Sequence, residues 1–154
     1  MNPKEATVTR ARDGSLRMFF EYAADDRSKI GMARADLPGG PWTICDALFE
    51  ARPDRWDSWH LSTGPVEWTA SGEPVMFYNG ATRDAKWRIG WIAFDPDFTR
   101  ATARCDEPLI VPPEKRKPGD TDIAFAASAI AVNGSFELYY SIADKDMMRA
   151  RIRA

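Results

Sequence analysis

One unit recurs three times along this chain and constrains its fold more than any single motif. Asp13-Gly14 precedes SLRMFFEYA, Ser71-Gly72 precedes EPVMFYNGA, and Asn133-Gly134 precedes SFELYYSIA. Each is a turn dipeptide followed by a strand-like run rich in aromatic residues. The three glycines lie 58 and then 62 positions apart. A charged loop follows each run (ADDRSK, TRDAKW, DKD), and then a second run: IGMARAD, RIGWIAFD, MMRARIRA. The first two second runs share Ile-Gly, at Ile30-Gly31 and Ile89-Gly90, and both close on an aspartate, Asp36 and Asp95.

Two further runs complete the unit. A strand before each turn dipeptide is predicted at ATVTRAR, LSTGPVEWT and IAFAASAIAV, and a fourth strand at WTICDALFE and ATARCDEPLI. Apolar residues keep no helical period over any length, and 11 prolines and 10 glycines punctuate the chain. The expected fold is therefore all-β. Four antiparallel strands at a period near 60 fit a β-propeller blade better than a sandwich or solenoid. The expectation is one partial propeller domain over residues 1–154, with blades at 5–50, 56–111 and 120–154, the last lacking its fourth strand.

Three blades leave a problem, because propellers close with four or more and so remove their exposed edges. Three readings stay open. The chain is part of a longer propeller, or two copies meet as a homodimer to complete a six-bladed ring, or the strands form a barrel or sandwich instead.

Composition bears on partners. A net charge of -2 offers no basic field for a phosphate backbone, which argues against nucleic acid. No apolar run approaches the roughly 20 residues that cross a bilayer, so no membrane partner is expected. The N-terminus is polar and carries no secretory pattern. Cys45 and Cys105 are far apart and lack metal-ligand spacing, so two free thiols in a reducing cytoplasm are expected. One histidine and two distant cysteines cannot make a zinc site, and no cofactor or metal is expected.

The middle unit carries the densest chemistry. Residues 56–95 hold five of the six tryptophans, the only histidine (His60) and a Ser62-Thr63-Gly64-Pro65 corner. Trp68 and Trp91 lie within runs and read as core. Trp56, Trp59 and Trp87 sit at loop edges, where an indole is free to stack on a ligand. Arg83, Arg88 and Arg104 read either as anion holders or as surface ion pairs. Ser62 and Thr63 beside His60 lack the strained elbow and orienting acid of a nucleophilic triad.

The order GPVEWTASGEPVMFYNGA, RIGWIAFD, ARCDEPLIVPP, IAFAASAIAVNGSFELYYSIAD resembles the C-terminal blades of the mannoside phosphorylases, glycoside hydrolase family 130. These belong with the five-bladed propeller glycosidases that include arabinanases and xylosidases. The resemblance covers roughly residues 56–146, and more weakly 12–45, and implies a saccharide ligand, with or without phosphate. It places His60 where the family keeps a phosphate-binding lysine and Asn79 where it keeps a histidine. It matches Tyr140-Ser141-Ile142-Ala143-Asp144 to a family Tyr-Gly-Ala-Ala-Asp, which carries over Asp144 as a binding carboxylate. Thr63 stands where some relatives keep an acidic proton donor, and the blades that hold the family's general acid are not evident here.

Glycoside cleavage needs two carboxyl groups about 5–10 Å apart across the scissile bond. Strand-end candidates are Asp57, Asp120, Asp122 and Asp144, and the pair taken forward as catalytic is Asp122 and Asp144. Trp59, His60, Asn79 and Trp87 are taken as substrate-binding. A glycoside hydrolase or phosphorylase and a non-catalytic carbohydrate-binding or interaction module both fit these residues.

Overall fold

The predicted runs contain strands, several shorter than the sequence suggests, and LSTGPVEWT is broken into two short strands rather than one. The structure, a computed structural model, describes residues 2–114 and 122–153. These hold twelve strands and no helix. The connection at residues 115–121, with Asp120, lies outside the described residues.

The first antiparallel sheet runs β1 (Lys4–Arg10), β2 (Leu16–Ala24), β3 (Arg27–Ala35), β4 (Thr43–Cys45) in that order. In the second, β5 (His60–Ser62) and β6 (Val66–Trp68) both pair with β7 (Pro74–Ala81), which is followed by β8 (Trp87–Phe94) and β9 (Ala101–Arg104). The third holds β10 (Ala124–Val132), β11 (Ser135–Ile142) and β12 (Asp146–Arg153). The turn dipeptides work as expected: Gly14, Gly72 and Gly134 have φ of 86°, 80° and 74°, a conformation that glycine adopts without a Cβ penalty.

The sheets pack face to face in chain order. One apolar layer joins the first two sheets, through Phe19, Ile30 and Met32 against Met76, Tyr78, Ile92 and Phe94. A second joins the last two, through Val75, Phe77 and Ile89 against Ala126, Phe136 and Leu138. Successive side chains of a strand point to opposite faces, so β7 sends Met76 and Tyr78 into one layer and Val75 and Phe77 into the other. Every residue of β7 is buried. At roughly 1.5–3 kcal/mol for each large side chain removed from water, this strand anchors the domain.

The repeated Ile-Gly pair has a packing cause. A Cβ on Gly31 would stand 2.6 Å from the Phe20 ring, and one on Gly90 would stand 2.5 Å from Trp56. In both sheets an aromatic ring lies flat where the strand has no side chain.

Asn79 ties the second and third sheets together. Its amide nitrogen donates to the Thr63 carbonyl at 2.8 Å, and its amide oxygen accepts from the Ala126 amide at 2.7 Å. The second bond falls where the β10–β11 register shifts between Ala126 and Ser128. Both polar ends of a fully buried side chain are thereby satisfied.

Candidate functional site

The β2–β3, β7–β8 and β11–β12 turns gather at one end of the molecule, and cross-blade hydrogen bonds join them. The Trp59 indole N–H donates to the Asp26 carbonyl at 3.2 Å, which links the second sheet to the first. The Ser28 amide donates to His60 Nδ1 at 3.1 Å. The Trp87 amide donates to the Asp122 carbonyl at 3.0 Å, and the Ala143 amide to the Ile123 carbonyl at 2.9 Å, which brings in the third.

An aromatic row crosses this end. His60 stacks on Trp87 with ring centroids 5.7 Å apart, and Trp87 meets Phe125 edge-on at 5.4 Å. Since His60 Nδ1 accepts a backbone N–H, the neutral ring carries its proton on Nε2. Burial holds the His60 pKa below the ordinary 6.5, against an opposing pull from the buried Glu21 carboxylate.

Phe125 also lines a cleft of about 530 Å³ between the first strands of the three sheets. Glu5 and Thr7 come from β1, Thr63 and Glu67 from the broken β5–β6 edge, and Ser128 from β10. The Thr63 hydroxyl donates to the Glu5 carbonyl and closes the first two strands against each other. Burial pushes the Glu67 carboxyl above its ordinary value. Hydroxyl and carboxylate edges beside an apolar ring suit a polyhydroxylated ligand, whose own surface alternates the same way.

Trp59 stands apart from the row. The guanidinium of Arg27 lies 4.6 Å from the centre of its ring, and that of Arg83 lies 4.7 Å from it. The indole thus presents two cations rather than a bare face. Beside it, a pocket of about 110 Å³ is lined by Tyr22, Arg27, Lys29, Glu50 and Trp59 among others.

The residues singled out from sequence fall into three groups. Trp59, His60 and Trp87 come together at this end, half-buried. Asp122 and Asp144 belong to the same end: Asp122 is held by Arg88 at 3.0 Å, whereas Asp144 is exposed at a hairpin tip with φ of 53°. Asn79 has a different place, because it offers no surface to a ligand and both ends of its amide are bonded to backbone.

Two other expectations change. Trp56 is a packing residue: it covers Gly80 and Gly90, stacks on Tyr78 at 5.5 Å, and its indole N–H donates to the Asp106 carbonyl at 3.1 Å. Asp57 is fully buried beneath the middle sheet, where Arg52, Arg104 and the Tyr78 hydroxyl converge on its carboxylate at 2.9, 2.5 and 2.6 Å. Of the three arginines read as ambiguous, Arg88 and Arg104 therefore hold carboxylates of the fold, and Arg83 holds none among the described residues.

Sequence reading passed over Arg27, Phe125 and Glu67. For Arg27 a signal existed, since ADDRSK and TRDAKW are equivalent loops and bring Arg27 and Arg83 to the same end. Cys45 and Cys105 are free. No set of three or more His, Cys, Asp or Glu side chains among the described residues stands close enough to hold a metal, and no described helix is long and apolar enough to cross a membrane.

No protein family matches the chain by sequence profile, and no curated protein matches it by sequence. Solved structures do match. A β-1,2-mannobiose phosphorylase from Listeria innocua, in complex with β-1,2-mannobiose, superposes on 99% of this chain and 44% of its own, with a TM-score of 0.83 at 20% identity. A mannose phosphorylase from Leishmania mexicana, in complex with phosphate ion, matches 98% of this chain and 51% of its own, with a TM-score of 0.66 at 17% identity. A structure reported for glycoside hydrolases of family 130 that target β-1,2-mannosidic linkages in Candida mannan covers 98% and 65%, with a TM-score of 0.60 at 17% identity. The chain has the β-propeller fold of these proteins. It spans about half the length of the first of them.

Proposed function

We propose that this protein recognises a saccharide in the cleft between the first strands of its three blades. The observation that carries the reading is the continuity of that cleft with the aromatic row: Phe125 lines the cleft and touches Trp87, which stacks on His60. Trp87 and Phe125 supply apolar contact for sugar C–H faces, and His60 Nε2–H, Ser128 and the two glutamates supply hydroxyl partners. Asn79 positions the wall between the second and third blades. The mannobiose-bound and phosphate-bound relatives support a saccharide, with or without phosphate, as the ligand class.

A second reading adds glycosidic cleavage, by water or phosphate. It is favoured by Asp122 and Asp144 sharing the end on which the aromatic row lies. Asp144 is the more available of the two, since Arg88 already occupies Asp122. In this reading a second copy completes the ring. Exposed Val8 and Ile44 on the first blade, and Ile130 and Met147 on the last, are the apolar side chains such a contact would cover.

Binding is tested by glycan-array and NMR titration of the full chain. Trp87→Ala is expected to abolish binding while the strand signals persist. Turnover of aryl glycosides, assayed with and without phosphate and lost in Asp144→Asn and Asp122→Asn, supports cleavage; saccharide binding with no turnover leaves a binding module. Light scattering that finds only monomer at micromolar concentration breaks the ring-completing dimer.

A further inference from the structure

The two guanidiniums on Trp59 are the cations of the first two hairpins that pair with no carboxylate among the described residues. At the first hairpin Lys29 is matched by Asp25 at 2.9 Å, and at the second Lys86 is matched by Asp84 at 3.0 Å. One strand residue further on, Arg88 is matched by Asp122 at 3.0 Å. Arg27 and Arg83 have no carboxylate within ion-pair distance among the described residues. In addition, Arg27 Nε is buried and lacks a hydrogen-bond acceptor. Asp25 and Asp26 precede Arg27 in its turn, and Glu50 lines the pocket beside it, yet none of these carboxylates closes on either guanidinium.

The arrangement leaves one donor, Arg27 Nε, unmet unless something else completes it. Both guanidinium carbons lie within 4.7 Å of one ring centre, so the two charges stand within about twice that distance of each other. A buried N–H with no acceptor adds the desolvation cost of an unsatisfied donor. Contact with the indole meanwhile restrains both side chains, which lowers the ordering cost of a charged contact. Trp59 is itself held, through its N–H to the Asp26 carbonyl at 3.2 Å. The cluster has the parts of an anion clamp: two forks, a rigid platform and an unmet donor.

We propose that Arg27 and Arg83 hold an anionic substituent of the bound saccharide, a carboxylate or a phosphate ester, with Trp59 as the positioning residue between them. The inference rests on the saccharide reading above and narrows it to acidic sugars. Ser28, next to Arg27 in the chain, donates its amide to His60 Nδ1 at 3.1 Å, so the clamp lies beside one end of the aromatic row. Arg83 is exposed and joins from the β7–β8 hairpin, whereas Arg27 opens β3, so the clamp spans two blades.

The test is a calorimetric titration of the full chain with mannose, mannose 6-phosphate, glucuronate and inorganic phosphate. Mannose 6-phosphate or glucuronate is expected to bind at least about tenfold tighter than mannose. In Arg83→Gln and in Arg27→Gln that preference collapses while mannose binding is unchanged, and added NaCl erodes it in the wild type. Arg83→Lys, which keeps the charge and loses the fork, restores only part of it. Equal affinity for mannose and both acids, or a preference that survives Arg83→Gln, overturns the clamp and leaves the saccharide reading standing. Tight binding of inorganic phosphate with no gain for either acidic sugar overturns the sugar-linked anion in favour of free phosphate. Failure of every sugar to bind overturns both readings, and Trp87→Ala, which is outside the clamp, separates the two by weakening neutral and acidic sugars alike.

Discussion

Two regions of this molecule use the same parts to opposite ends. Beneath the middle blade, Arg52 and Arg104 flank Asp57, and Arg104 also lies over Phe49 and Tyr78 at 5.0 and 4.9 Å. At the hairpin end, Arg27 and Arg83 lie over Trp59 at 4.6 and 4.7 Å with no carboxylate of the described residues paired to them. Both are paired arginines beside aromatic rings, one of the first pair and both of the second lying over them. The first encloses a fully buried carboxylate, which also takes the Tyr78 hydroxyl at 2.6 Å. Burial pushes that hydroxyl's pKa up, so it stays a donor to Asp57. The first pair has its anion from the chain and is part of the fold; the second has none from the described residues.

The difference is measurable. The largest effect is expected from Asp57→Ala, which strands two guanidiniums and a phenol in the interior; about 3–5 kcal/mol of unfolding free energy should be lost in denaturant titration. A loss below about 1 kcal/mol would show that the cluster is hydrated and the contrast unreal. Next comes Arg104→Gln, which leaves Asp57 with Arg52 and Tyr78. A loss of about 1.5–3 kcal/mol is expected, in line with a charged hydrogen bond removed from a buried site. Arg83→Gln should sit at the other extreme, within about 0.5 kcal/mol of wild type in stability, because its side chain is exposed and unpaired. If it instead destabilises as Arg104→Gln does, the hairpin-end pair is structural too.

The smallest effect is a pH dependence. Burial keeps the folded-state pKa of His60 below the ordinary 6.5, with Glu21 opposing. A group depressed on folding contributes stability that is complete above its unfolded value and is lost as pH falls through the folded one. Protonation also removes the Nδ1 acceptor that the Ser28 amide uses. Between pH 7 and 5 the wild type should therefore lose more thermal stability than His60→Gln, which cannot titrate. Parallel melting curves for the two proteins would exclude this role for His60.

Much of the architecture was legible because it repeats. Turn dipeptides need a left-handed glycine, and a strand run after each can be read without knowing its neighbours, so the three blades emerged from local chemistry. The hairpin end was half legible. Trp59, His60 and Trp87 were picked out because indoles and a lone imidazole at loop edges are conspicuous. Asn79 reads from sequence as substrate-binding, but nothing local shows that β7 is covered on both faces, which makes this residue a buried stitch between blades. Trp56 and Asp57 failed for the same reason: a loop that folds under a sheet looks like any other polar loop.

Alone, then, the sequence determined an all-β chain of three blade-like units, a likeness to family 130 propellers, and the aromatic residues of one end. Periodicity, turn chemistry and side-chain type are properties of neighbours in the chain. Tertiary structure alone decided which charges meet. Arg83, Arg88 and Arg104 are equivalent on paper, yet Arg104 reaches Asp57 across 47 positions and Arg88 reaches Asp122 across 34, while Arg83 lies over an indole and meets no carboxylate among the described residues. Ion pairing depends on distance in space, and which cations remain free for a ligand is known only after the fold has spent the others.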